Sequence, residues 1–202
     1  MTTDPVVLAD SPPPLAHKDG DFFQTADYAV IFLILSPNYG NMKVLKFGGT
    51  SVGTVETLRN VKSIVRSCAG EQTVVVVSAL GGLTDKLIAT ANKAAAGDGS
   101  WRTDHAAMIE RHLHIIDALI PESKHDAVAK AVGYLLAQLG DDYANIAAEA
   151  DRTVATPVMD RIVSYGERCS SAIVANMIEG AERFNSMNFI KTCLLYTSDA
   201  AD

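Results

Sequence analysis

Met42-Lys43-Val44-Leu45-Lys46-Phe47-Gly48-Gly49-Thr50-Ser51-Val52-Gly53 begins as an apolar run and ends in a glycine-rich turn. Residues 43–47 read as a short strand that runs straight into Gly48 and Gly49. Thr54 then caps a helix to about Cys68, with Val55, Leu58, Val61, Ile64 and Val65 on one face and Gly70 past its end. Residues 73–77, Thr-Val-Val-Val-Val, are a continuous β-branched run of the kind buried on both faces of a parallel sheet. Residues 79–83 make a second glycine-containing turn, and Thr84 caps a helix that ends near Gly97. Strand, loop, helix, strand, loop, helix is the pattern of a βαβ unit, so the expected fold class is α/β.

Beyond residue 103 the pattern turns helical. We expect helices over 103–119, stopped by Pro121, then over 124–139 and 141–150. Pro157 suits the first turn of a further helix, and residues 167–178 form the last one, ending at Gly180. This reads as a helical insertion between strands, serving as a lid or a subunit-contact layer. Phe189-Ile190-Lys191 would begin the next strand.

The 202 residues are 48% hydrophobic and 20% charged, close to the globular average, which excludes collagen-like, disordered and disulfide-scaffold classes. The net charge of −7 leaves no electrostatic footprint for nucleic acid. The acidity belongs to the ends: residues 1–41 hold Lys18 and five Asp, and residues 193–202 hold Asp199 and Asp202. Cys68, Cys169 and Cys193 show no metal-ligand spacing, and an odd count offers no disulfide framework, as suits a reducing cytosol. The apolar run at 28–35 is far shorter than the roughly 20 residues a membrane helix needs. The expectation is a cytoplasmic protein with no membrane and no nucleic-acid partner.

Both ends look foreign to the central domain. Residues 1–41 mix Pro12-Pro13-Pro14, scattered Asp and one sticky octapeptide, and Met42 opens the clean pattern. We read Met42 as the true start; the alternative is a real extension that packs residues 28–35 as an added strand. Residues 193–202 can be encoded by a DNA string resembling the adapter of transposon-based sequencing libraries. The native sequence is therefore expected to stop at about Thr192, with residues 42–192 the N-terminal part of a longer catalytic domain.

The chemistry gathers at the first loop. Two glycines bring backbone close to a ligand, and the amides of a turn that opens a helix make an anion site. Lys46, at the strand end, is placed to reach phosphate oxygens. The loop is not a Walker A motif, because Thr54 stands where that motif needs Lys, and it is not GxGxxG. Taken singly, each residue has a plainer role. Glu167 could complement a helix dipole, Thr84 could be a cap, Ser78 a strand-end hydroxyl and Lys46 a solvated amine. His112 and His114 share no helical face and make a poor metal pair, so no metal site is assigned. Cys169 reads as a small packed residue.

Together the motifs say more. Lys-Phe-Gly-Gly-Thr-Ser-Val at 46–52 resembles the opening of the aspartate kinases, within the amino-acid kinase family. Val77-Ser78-Ala79-Leu80-Gly81-Gly82-Leu83-Thr84-Asp85 looks like that family's loop after the second strand. Val163-Ser164-Tyr165-Gly166-Glu167-Arg168-Cys169-Ser170-Ser171 looks like its Ser-x-Gly-Glu-x-x-Ser segment. The resemblance spans about residues 42–192.

The resemblance implies a three-layer amino-acid kinase fold, a mostly parallel sheet flanked by helices, here incomplete. It implies ATP and Mg²⁺ as cofactors and L-aspartate as substrate, giving 4-phospho-L-aspartate on the way to lysine, threonine and methionine. By the same resemblance Lys46, Gly48 and Gly49 act on the transferring phosphoryl group, with Thr50 and Ser78 at the nucleotide phosphates. Ser51, Thr84 and Glu167 would bind the substrate, Glu167 at its amino group. The opening looks most like the bifunctional aspartate kinase–homoserine dehydrogenases, so NADP is expected only if such a dehydrogenase follows. The full-length protein is expected to be a homo-oligomer.

Family members continue into an Arg-Gly-Gly-Ser-Asp stretch, an adenine-binding half and ACT-type domains. The 202-residue chain alone is therefore expected not to phosphorylate aspartate and to expose apolar strand edges. Two alternatives stay open: another amino-acid kinase of the same fold, or a non-catalytic truncated interaction subunit.

Overall fold

The computed structural model describes the backbone of residues 30–33 and all of residues 42–68, 72–149 and 153–184. Three strands, numbered in chain order, form one sheet: β1 (Val30–Leu33), β2 (Met42–Phe47) and β3 (Gln72–Val77), in the order β1-β3-β2. β2 and β3 are parallel, with Met42 opposite Gln72 and Phe47 opposite Val77. Helix α1 (Val55–Ser67) connects them, which makes the expected βαβ unit. β1 runs antiparallel on the other edge of β3, Val30 opposite Val76 and Leu33 opposite Thr73. Within the run at 28–35, the described residues 30–33 thus form an added strand.

β3 is the central strand, and its β-branched run is covered on both faces: Thr73, Val74, Val75 and Val77 are all buried. β2 lies at the edge, where Met42 and Val44 are 58% and 63% exposed. α1 starts as its sequence dictates. Thr57 N–H donates to Thr54 Oγ1 at 3.2 Å and Thr54 N–H donates to Thr57 Oγ1 at 3.0 Å, a reciprocal cap worth about 1 kcal/mol. Leu58, Val61 and Val65 are buried, whereas Ile64 is 47% exposed and Val55 half-buried. Ile64 precedes Val65 by one residue, a rotation of about 100° that carries it off the buried stripe.

Four longer helices follow: α2 (Leu83–Ala95), α3 (Trp101–Leu119), α4 (Glu122–Ala148) and α5 (Thr156–Met177). Three expectations need correction. Thr84 is not the cap of α2. Gly82 is, with φ of 72°, because the chain must turn from β3 into the helix within a few residues and only a left-handed residue does so there. The helices expected over 124–139 and 141–150 are one helix. Gly140 does not break it, because a Cβ there would lie 2.7 Å from the His105 Cε1 of α3. The glycine is a contact point between two helices, reinforced by His105 Nε2 donating to Leu136 O at 2.8 Å. The segments begun at Pro157 and Glu167 are likewise one helix.

α5 packs against β1, β3, α2 and α4, and α3 packs against α1, α2 and α4. One continuous apolar core joins them, from Phe47 and Val75 through Leu58, Leu87 and Ile116 to Tyr143 and Ile173. Among the described residues, no helix is long and apolar enough to cross a membrane. Phe189-Ile190-Lys191 and residues 193–202 lie outside the described residues.

Candidate active site at the paired glycine loops

The parallel ladder continues one step past the strands. Ser78 N–H donates to Phe47 O at 3.1 Å, so the loops after β2 and β3 leave the sheet side by side. The first turns as a 3-10 helix over Gly49–Val52, closed by Ser51 N–H donating to Gly48 O at 2.9 Å. The Gly49 and Thr50 amides precede that bond and have no acceptor within the turn.

The loops touch backbone to backbone. A Cβ on Gly81 would lie 2.9 Å from Gly49 O and 3.4 Å from Gly53 Cα, and one on Gly49 would lie 3.3 Å from Ala79 O. Gly48 is different. Its φ of −73° suits any residue, and a Cβ there would meet nothing within 4 Å.

The third motif arrives on α5. Glu167 is only 9% exposed, and its Oε1 accepts the Ala79 N–H at 3.3 Å. Gly166 permits that approach, since its Cβ would lie 2.6 Å from the Ala79 Cβ and 3.3 Å from Leu87 Cδ1. Nearly one turn on, the Ser170 hydroxyl donates to Ser78 O at 2.8 Å, with Glu167 O at 3.1 Å. The helix-dipole reading of Glu167 fails, because the residue sits in the middle of α5 and the dipole acts within the terminal turns.

The side chains of the remaining expected residues surround this junction. Lys46 precedes the last residue of β2, with an exposed side chain, and forms no ion pair among the described residues. Thr50 is exposed, Ser51 and Ser78 are half-buried, and Thr84 is half-buried in the first turn of α2. Two contributors escaped the sequence reading. Ser170 stood in the quoted motif, three residues after Glu167 and so on the same helical face, which was the signal available. Arg111 of α3 bonds only to main-chain carbonyls, Gly53 O at 2.8 Å and Gly81 O at 2.9 Å, and such contacts leave no pattern in a sequence.

Backbone amides, hydroxyls and an exposed ammonium suit the oxygens of phosphate. They do not suit a cation, and among the described residues no three His, Cys, Asp or Glu side chains gather as metal ligands. Elsewhere, Cys169 is fully buried and its thiol is pushed up to about 12 by that burial. His112 is buried and His114 exposed.

Residues 41–184 match the model of the amino acid kinase family. The chain belongs to that family.

Its α/β architecture, with a parallel strand pair and packed helices, is a partial amino acid kinase fold. Among solved structures, E. coli aspartokinase III in complex with aspartate and ADP (R-state) resembles it with a TM-score of 0.58 at 25% identity. That match covers 68% of this chain and 28% of the other. The chloroplastic bifunctional aspartokinase/homoserine dehydrogenase of Daucus carota is 30% identical over 151 residues, which is 70% of this chain and 15% of that protein. The aspartokinase of Pseudomonas aeruginosa is 54% identical over 52 residues, 25% of this chain and 13% of that one. The chain thus spans about 15% of the carrot protein's length.

Proposed function

We propose that the protein carrying this chain is an aspartate kinase, using ATP to phosphorylate the side-chain carboxylate of L-aspartate. The observation that carries this reading is the bond from Ala79 N–H to Glu167 Oε1. It joins the third motif to the second at the point where the second loop lies against the first. The names of the relatives support the substrate, and the ADP and aspartate of the E. coli complex support both ligands.

In this reading the Gly49 and Thr50 amides and Lys46 hold the phosphoryl oxygens, and Gly48 leaves space for them. Ser78 lies at the nucleotide phosphates, and Ser51, Thr84 and Glu167 hold the substrate. The aspartate carboxylate is already ionised at neutral pH, so it attacks the γ-phosphorus without a general base. The bond from that phosphorus to the β–γ bridging oxygen breaks, and its electron pair leaves with ADP. The protein's task is placement and charge neutralisation, because the transition state spreads negative charge over the phosphoryl oxygens. Magnesium accompanies such nucleotides, but among the described residues no three His, Cys, Asp or Glu side chains gather to hold it.

The test begins with a long sequencing read across the locus. The complete product is then assayed for ATP-dependent acyl phosphate, trapped with hydroxylamine, over a panel of amino acids and carbamate. Aspartyl hydroxamate, lowered at least about a hundredfold by Lys46→Ala, is the expected result. A product that phosphorylates a different acceptor and not aspartate would overturn the substrate, and a frame that ends without a nucleotide half would overturn the enzyme. The same read decides whether a homoserine dehydrogenase, with its NADP, is fused downstream.

A further inference from the structure

Arg111 reaches both loops with one nitrogen. Its Nη2 donates to Gly53 O at 2.8 Å and to Gly81 O at 2.9 Å. Gly53 is the last residue of the first loop, and the peptide it shares with Thr54 opens the α1 cap. Gly81 immediately precedes Gly82, the cap of α2. The Gly81–Gly82 peptide is trans, so its carbonyl and its N–H lie in the peptide plane and point in opposite directions. Turning Gly81 O toward Arg111 therefore turns the Gly82 N–H away from it.

The charge needs its own account. The guanidinium is half-buried, and burial pulls its pKa down from the usual arginine value. A carboxylate normally compensates such a charge, and among the described residues none forms an ion pair with it. Two neutral carbonyls hold it instead. Its positive potential is thus left to act on whatever the loops bind, and it favours an anion there.

We propose that Arg111 is a positioning residue for the phosphate site: it sets the separation of the two loops and the direction of the Gly81–Gly82 peptide, and its charge backs the bound phosphate. This rests on the reading of the loops as a phosphate site. Arg111 touches no reacting atom, and its action runs through the main chain of both loops.

Two measurements on the 202-residue chain decide it, each made on the wild type, Arg111→Met, Arg111→Lys and Ile116→Val. The last is a core change on the same helix that weakens packing without touching the loops. The first measurement is amide hydrogen exchange at Ser51, Thr54 and Leu83. Arg111→Met should accelerate exchange in both loops at least about tenfold, Arg111→Lys should fall between it and wild type, and Ile116→Val should not single out the loops. Unchanged exchange in Arg111→Met overturns the clamp.

The second measurement is tripolyphosphate affinity. Arg111→Met should weaken it about tenfold or more, with Arg111→Lys recovering much of the loss. A variant that binds like wild type overturns the proposal while leaving the phosphate site standing. Wild-type chain that binds no tripolyphosphate counts against the phosphate site itself, and exchange data that still respond to Arg111→Met identify that as the failed step.

Discussion

Gly48 and Gly81 lie on facing loops and look alike in the sequence, yet the fold asks different things of them. A side chain on Gly81 would collide with the backbone of the first loop, 2.9 Å from Gly49 O. A side chain on Gly48 would enter open space from an ordinary backbone conformation. The protein's own packing accounts for the first glycine and not for the second. The room beside Gly48 is therefore available to a ligand, and the contact at Gly81 is the frame that holds that room in place.

The largest expected effect tests the frame where α5 meets it. Gly166→Ala should cost about 1–3 kcal/mol by overpacking against Ala79, although alanine favours a helix interior over glycine by about 1 kcal/mol. Adding Ala79→Gly removes the facing methyl and should restore most of the loss in urea unfolding. A single variant as stable as wild type would mean the contact gives way easily.

Next comes the pair itself. Gly81→Ala should destabilise by about 1–2 kcal/mol, since two backbones must separate, while Gly48→Ala should stay within about 0.5 kcal/mol. Tripolyphosphate titration should order them differently, with Gly48→Ala losing affinity despite its intact fold. Gly48→Ala that unfolds, or that binds like wild type, would break the comparison.

The smallest effect concerns His112, beside Arg111 on α3. Its Nδ1–H donates to Met108 O at 2.7 Å, and its buried Nε2 has no partner. Burial holds its pKa below the ordinary imidazole value of 6.5. The unfolded chain therefore binds the proton first as pH falls through 6.5, and stability should drop between 6.5 and the lower native value. Denaturation curves above and below 6.5 should show a steeper loss for wild type than for His112→Gln. Equal losses would show that His112 does not titrate against folding.

The legible parts were those written in neighbouring residues. Thr54, standing just before an apolar helical stripe, announces the α1 cap; the valines of β3 announce a strand covered on both faces. Three short motifs pointed to the family and to residues that the fold brings to one junction. The helical half was read less well. Gly140 looks like a break because glycine is a poor helix former, yet α3 and α5 hold α4 straight through it: His105 packs at Gly140, and Arg161 donates to both oxygens of Asp142 at 2.8 and 3.0 Å. Glu167 was taken for a helix start because nothing local told that the helix opened at Pro157 runs on through it.

By itself, then, the sequence determined the strand–loop–helix order, the α1 cap and the glycine loops. These follow from periodicity and from side chains acting on their own backbone within a few residues. Only the tertiary structure decided which glycine is packed and which is open, that Glu167 reaches Ala79, and that Arg111 ties Gly53 to Gly81. Those contacts join residues separated by about thirty to ninety positions, and all three hydrogen bonds are made to main-chain atoms. Every residue has the same main chain, so such partners can be found only once the chain is folded.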